Sequence, residues 1–384
     1  LPRENHARDL GGLIMVQDGR EHVADTAVIT KEQVLGTERR WRRFGEPAPA
    51  GSSITADGSP DYGLFGPGSV AWEVLLHPAT TVFLNTAQVL MQTRGYKGTA
   101  AGLRDRDPVS RKGRAGTATF FDFFERISRN LGMHAPMWFG DTPTAQLMAK
   151  HLDRFHRKVT GDVIDIGRPE LGGYSATSPR ETMWAALTEL HPALWMYESF
   201  AFRDGRLPHR LRPEQRDQFV AEAGAYLRLV GADEDEIPTT MAELRALYAK
   251  YEALFAPSKT FDISPETGQL NYRTGLTTMF KNMNLSQRHA FIPVFVEVML
   301  LELPVLGAMP GKARWSMGIG PVRSCLSVMA RRVAMPLMWL MQQPSIERKF
   351  LRLMWGPDGT NLIESARALH RQALAERAVG ERTP

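Results

Sequence analysis

The chain has 384 residues, 43% hydrophobic and 23% charged, with 47 Lys and Arg against 42 Asp and Glu. This balance excludes a disordered chain, a collagen-like fibre and a disulfide-rich secreted scaffold, and the length suffices to bury a core that encloses a ligand. A single cysteine, Cys325, leaves no intrachain disulfide and no four-cysteine zinc or iron–sulfur site.

Residues 1–60 are polar and poorly periodic, and 45–58 are rich in Pro, Ala, Gly and Ser, so an irregular arm laid over the core is expected. From Gly68 the pattern turns helical. The apolar stretch 69–93 is interrupted by His77-Pro78, where the residue before proline is pushed out of helical geometry. Residues 115–131 carry Phe120, Phe121, Phe123, Phe124, Ile127 and Leu131, a core-facing set. Thr142-Pro143 reads as an N-cap followed by proline at the first helical position, opening a helix to about Val159 that stops before Gly161. Further helices fit 179–190, 192–203, 213–230, 240–255, 285–302, 322–342, 344–354 and 360–378. The most apolar run, 291–309, contains Pro293, Glu297, Glu302 and Pro304, which are costly in a spanning helix. It is read as a buried helix ending near Pro304, with peripheral membrane contact as the weaker alternative. Strand signals are short and scattered. The expected fold is mainly α: a single large helical domain with an irregular N-terminal arm.

The basic residues fall into short clusters: Arg39, Arg40, Arg42 and Arg43; Arg104, Arg106, Arg111, Lys112 and Arg114; Arg331 and Arg332. No nucleic-acid motif accompanies them, so no nucleic-acid partner is expected. HExxH, GxSxG, GxGxxG and EF-hand patterns are all absent. Residues 307–312 look like a phosphate loop one residue short, with Ala313 where a magnesium-binding hydroxyl is needed. Cys325 stands in a Met-rich stretch and is expected to be an inert buried thiol. No signal peptide is visible, but the chain opens on Leu1 rather than Met, compatible with a removed leader. A cytoplasmic or membrane-associated location is favoured, and secretion stays open.

The ten histidines are the remaining candidates for chemistry. His6, His22, His209 and His370 lie in polar or terminal segments. His77 and His191 precede prolines and are expected at helix boundaries. His134 and His289 have no evident partner. His151 and His156 share the helix opened at Thr142, whose apolar stripe is Met148, Leu152, Phe155 and Val159. At about 100° per residue, His156 lies roughly 60° to one side of that stripe and His151 roughly 80° to the other. Both are boundary positions, and periodicity does not choose between them.

Three blocks carry a family resemblance. The first is Phe139-Gly140-Asp141, about four helical turns, then His156-Arg157-Lys158-Val159-Thr160-Gly161, a His-x-x-Val-x-Gly pattern. The second is Tyr174-Ser175-Ala176-Thr177-Ser178-Pro179 with Trp184, Tyr197 and Phe200 following. The third is Leu211-Arg212-Pro213-Glu214-Gln215, then Gly231-Ala232-Asp233 and the run from Ile237-Pro238 through Leu244. In this order, across roughly 65–280, the chain resembles the family of bacterial latex-clearing rubber oxygenases and the fungal oxygenase of mycophenolic acid synthesis.

The resemblance implies a helical fold enclosing one b-type heme (iron protoporphyrin IX), held in a core spanning 61–280. An N-terminal arm, 1–60, would precede it, and a C-terminal helical extension, 281–384, would pack on it. It implies that His156 is the proximal iron ligand, since neutral imidazole binds iron through one ring nitrogen while the other is fixed by a hydrogen bond. On the distal side Arg114 fits the family's arginine, with Arg111 as its rival. Thr117 stands where the lysine would be, so a hydroxyl from Thr117 or Thr119 would stabilise bound dioxygen. Either arginine could alternatively pair with a heme propionate, and without the resemblance both read as part of a solvated basic loop. Gly98 stands where the rubber oxygenases carry a glutamate base, and Trp184-Ala185-Ala186 replaces the family's Trp-Val-His. The Met-rich C-terminal stretch reads as packing or as a channel for a prenyl chain.

The implied activity is a heme-dependent oxygenase that uses dioxygen on an apolar, isoprenoid substrate by oxidative cleavage of a carbon–carbon double bond. The alternatives are hydroxylation, rearrangement or peroxidation by a heme enzyme of the same family, or a non-enzymatic heme- or lipid-binding helical protein.

Overall fold

A computed structural model describes residues 46–203, 205–263 and 275–380. Arg39, Arg40, Arg42, Arg43, His6, His22 and most of the expected arm lie outside the described residues. In chain order the helices are α1 (Val70–Leu75), α2 (Pro78–Leu90) running into a π-helical turn (Met91–Gly95), α3 (Lys97–Arg106), α4 (Pro108–Arg114), α5 (Phe120–Phe139) and α6 (Thr142–His156). Two three-residue strands follow, β1 (Thr160–Asp162) and β2 (Gly173–Ser175), antiparallel with Gly161 opposite Tyr174. Then come α7 (Pro179–Phe200), α8 (Pro213–Val230), α9 (Met241–Lys250), α10 (Leu276–Lys281), α11 (Leu285–Ala308) and α12 (Gly311–Ser316). The C-terminal helices are α13 (Pro321–Val333), α14 (Met335–Met341), α15 (Pro344–Met354) and α16 (Gly356–Gly380). Of the described residues 71% are helical, which makes the fold mainly α as expected.

One apolar core joins the helices. α2 packs on α7, α5 on α16, and α11 on α13, and the rings of Trp72, Trp138, Trp184 and Trp355 are fully buried. Two of these indoles tie distant segments together: Trp72 donates to the Trp138 carbonyl at 3.0 Å, and Trp355 to the Thr81 carbonyl at 3.0 Å. An acceptor for the N–H offsets the cost of burying that polar group with the ring, whereas the indole nitrogens of Trp138 and Trp184 are buried without a partner among the described residues. The described part of the arm is pinned to the α5–α6 turn, where Ala50 donates to the Phe139 carbonyl at 3.1 Å and Ala48 to Thr144 Oγ1 at 3.0 Å.

Several boundaries differ from expectation. Asp141, not Thr142, caps α6, accepting from the Thr144 amide at 3.0 Å, and the helix ends at His156 rather than at Val159. His191 lies inside α7, which runs through Pro192 as one helix of 22 residues. α11 continues past Pro293 and Pro304 to Ala308, and it is not a buried helix: 39% of its most apolar window is covered. Proline interrupts one backbone bond, but packing on one face holds the helix together across it. Cys325 is exposed, not buried. Gly307, read as part of a degenerate phosphate loop, instead sits where α11 crosses α13 so closely that a Cβ there would overlap the Ser327 carbonyl.

Candidate active site

His156 is the last residue of α6, and the block around it explains how its position is set. Asp61 holds the start of α6, accepting from Thr142 Oγ1 at 2.8 Å. At the far end the Val159 amide donates to the His156 carbonyl at 2.8 Å, turning the chain into β1. Val159 packs into a small apolar cluster with Ala101, Val163 and Tyr174. Gly161 is required by the Tyr174 ring across the ladder, since a Cβ there would lie 2.7 Å from Tyr174 Oη and 2.9 Å from Asp105 Oδ2. Tyr174 in turn donates to Asp105 at 2.7 Å, and Asp105 is paired with the buried Arg104. The His-x-x-Val-x-Gly pattern is thus a helix end, an apolar anchor and a close approach, and together they fix where the imidazole sits.

The His156 ring is partly buried, and among the described residues it makes no hydrogen bond. Burial holds its pKa below the ordinary histidine value, and the Arg126 guanidinium pushes it further down, against Glu189 and Asp153. The imidazole is therefore neutral near pH 7, the form that binds a metal. Arg126 comes from α5 and is itself fixed by Asp107, accepting from Nε at 2.6 Å. The apolar stripe expected on α6 is only partly used: Met148 is buried, but Phe155 is 64% exposed.

Beside this helix lies a buried polar centre. Glu189 of α7 accepts from Gln88 at 3.0 Å, Gln92 at 3.2 Å, Tyr226 at 3.0 Å and His134 Nε2 at 2.9 Å, joining α2, its π-helical turn, α8 and α5. Four donors on one carboxylate offset the cost of removing it from water. His134 stacks on Trp138 at 4.7 Å between ring centres, and its Nδ1 is buried with no partner among the described residues. A carboxylate on one ring nitrogen and a bare second nitrogen is how proteins orient a metal-binding histidine. Sequence reading found no partner for His134, because Glu189 is 55 residues away along the chain. The signal that could have found it is a glutamate on the apolar helix α7.

Arg111, Arg114, Thr117 and Thr119 are the residues expected on the distal side. Arg114 is held by a hydrogen bond from its guanidinium to the Arg104 carbonyl. Arg111 and Thr117 are exposed at the surface. Thr119 is the N-cap of α5 in a reciprocal capping box with Asp122, so its hydroxyl is committed to the helix start. The structure brings none of the four into contact with His156 among its hydrogen bonds, and the arginine that acts on the ring is Arg126. At Gly98, a Cβ would run into a carboxylate oxygen of Glu181, which accepts from Tyr96 at 2.8 Å. An open cleft of about 600 Å³ lies beside β1, lined by Thr160, Gly161, Tyr174, Ser178 and Arg180.

The other two blocks are also structural punctuation. Trp184 is buried among Tyr96, Tyr248, Tyr251 and Phe255. Arg212 and Gln215 form the capping box of α8, Gly231 ends it at φ 90°, and Thr240 caps α9.

No curated protein and no solved structure matches the chain. Residues 72–343 match the family described as ER-bound oxygenase mpaB/B'/Rubber oxygenase, catalytic domain. That span contains α5, α6, α7 and the residues around His156, and with it the chain belongs to this oxygenase family.

Proposed function

We propose that this oxygenase works with heme b and that His156 would hold its iron. The observation that carries the reading is the state of that side chain: a partly buried, neutral imidazole without a hydrogen-bond partner among the described residues, at a helix end set by its own motif. Among the described residues no three of His, Cys, Asp and Glu converge on a bare ion, whereas heme needs one protein ligand and brings four of its own. Heme supplies the redox iron that activates dioxygen. The protein's part is binding and orientation. Arg126, held by Asp107, keeps a fixed positive charge beside His156, suited to a propionate or to negative charge that develops during oxidation. The substrate class is an apolar, isoprenoid chain. Its double bond would be cleaved with both oxygen atoms of one dioxygen ending in the two carbonyl products.

The orphaned Nδ1 of His134 favours a second reading of the ligand, with Glu189 orienting the ring. One experiment separates the two. The purified protein is titrated with hemin and followed by its Soret band and pyridine hemochrome, beside His156→Ala and His134→Ala. Loss of stoichiometric b-type heme in His156→Ala alone supports the first reading, and loss in His134→Ala alone supports the second. A wild-type protein that stays colourless removes heme from both. Product analysis with prenyl substrates then separates double-bond cleavage from hydroxylation, rearrangement or peroxidation.

A further inference from the structure

α11 has two unlike faces. One carries Phe291, Val294, Leu301 and Val305, buried against α2, α5, α7 and α13. The other carries Ile292, Val296, Met299, Leu300 and Leu303, each between 38% and 54% exposed. These positions recur at helical spacing, and with Leu285 they form an apolar stripe about 27 Å long on the solvent side. α13, packed against α11, repeats the pattern: Val322, Leu326, Met329 and Val333 are all exposed at spacings of four, three and four. On α14, which follows α13 directly in the chain, Trp339 and Leu340 are also exposed. An exposed apolar surface of this extent marks an interaction site rather than ordinary surface composition.

We infer that the solvent face of α11, α13 and α14 is a docking surface for an anionic lipid membrane, on which the protein lies without spanning it. The best window of α11 has a mean hydropathy of 2.0, enough by length and composition to cross a bilayer. Its other face is occupied by the protein's own core, so the helix can only lie along the interface. The charge argues for lipid over a second copy. Residues 276–343 contain seven Lys and Arg against two Glu. Lys281 precedes the stripe and Lys312 follows it, while Arg332 stands exposed on α13. Two such faces brought together would set like charges against each other, at a cost. An anionic lipid surface instead receives the apolar stripe, while lysine and arginine stems lie along it with their heads at the phosphates. A tryptophan at the edge of such a face suits the headgroup boundary. Of the two acids, Glu302 is neutralised by an ion pair to Arg323, and burial pushes Glu297 up to about 7.

The test is vesicle flotation of the full chain, with phosphatidylcholine vesicles and with phosphatidylcholine–phosphatidylserine vesicles, beside Met299→Glu combined with Met329→Glu. Both methionines are exposed, so circular dichroism and the melting temperature should be unchanged in the variant. The expected result is flotation with the anionic vesicles, weaker flotation without phosphatidylserine, and at least a tenfold drop in partitioning for the variant. Three results would overturn the inference. The wild type stays with the soluble fraction in both mixtures, or the variant floats as well as the wild type. The third is a wild-type dimer by light scattering that the same substitutions split, which would assign the face to a second copy. Flotation needs no bound heme, so the outcome is independent of the ligand assignment.

Discussion

His77 couples a helix cap to pH. It is the N-cap of α2, and its Nδ1 accepts from the Ala79 amide at 3.1 Å. An imidazolium has no acceptor nitrogen, so protonation there removes the cap. Burial, then the nearby Arg367 and Arg203 guanidinium groups, lower its pKa to about 3. A histidine depressed in the folded state stays neutral there while the unfolded chain takes up a proton near pH 6.5, so stability is lost as pH falls below that value. With a folded value of about 3 the loss at pH 5 is about 2 kcal/mol, against about 0.2 kcal/mol at pH 7. His77→Asn keeps a capping acceptor and abolishes the titration. It also loses the edge-on contact with the Tyr197 ring, 5.2 Å between centres, a pH-independent cost of about 1 kcal/mol. The variant is therefore expected to be less stable than wild type at pH 7 and more stable at pH 5. The change in the difference is close to 2 kcal/mol. Urea unfolding followed by tryptophan fluorescence at the two pH values measures it, and other titrating groups cancel because both proteins carry them. A stability difference that does not change with pH would refute the coupling between cap and charge.

Substitutions at two further positions probe how the site and the docking face are held. Glu189→Ala leaves Gln88, Gln92, Tyr226 and His134 with unmet donors and should cost about 3–5 kcal/mol. Glu189→Gln, which keeps an acceptor, should cost clearly less, and equal melting temperatures for the two would show that the carboxylate does not organise the four partners. Gly307→Ala places a methyl on the Ser327 carbonyl and should destabilise by about 1–3 kcal/mol, read as a lower urea midpoint. An unchanged midpoint would mean that α11 and α13 can move apart freely.

The elements that sequence reading located well are those marked by local chemistry. His77-Pro78 separates α1 from α2 because proline excludes helical geometry just before it and the histidine turns that break into a cap. The helix expected at 344–354 has those limits, opened by Pro344 at its first position. The helix at 213–230 is likewise bracketed by Pro213 and Gly231. The helices expected at 179–190 and 285–302 were cut short at a proline. Pro192, Pro293 and Pro304 all sit inside helices, because the burial of α7 and of one face of α11 outweighs a single missing backbone bond. The site was legible in part. His156 stands out through its motif, whose valine and glycine are local necessities of the turn after α6. Arg126 and the pairing of His134 with Glu189 were not legible, because each joins residues on different helices. Nor were the uses of Arg114 and Thr119, whose polar groups are taken up by a backbone carbonyl and a helix cap.

Composition, helical periodicity and punctuation by proline, glycine and capping residues determined by themselves that the protein is mainly α and roughly where its helices begin and end; the choice of His156 over His151 came only from the family resemblance. Those signals act within a few residues, where backbone sterics and caps dominate. Tertiary structure alone decided which faces are covered. It left one side of α11, the most apolar run in the chain, on the surface, and it gathered four donors from four segments onto Glu189. Burial and long-range pairing depend on how helices cross, and a pattern of hydrophobic residues specifies that a face must be covered without specifying by what.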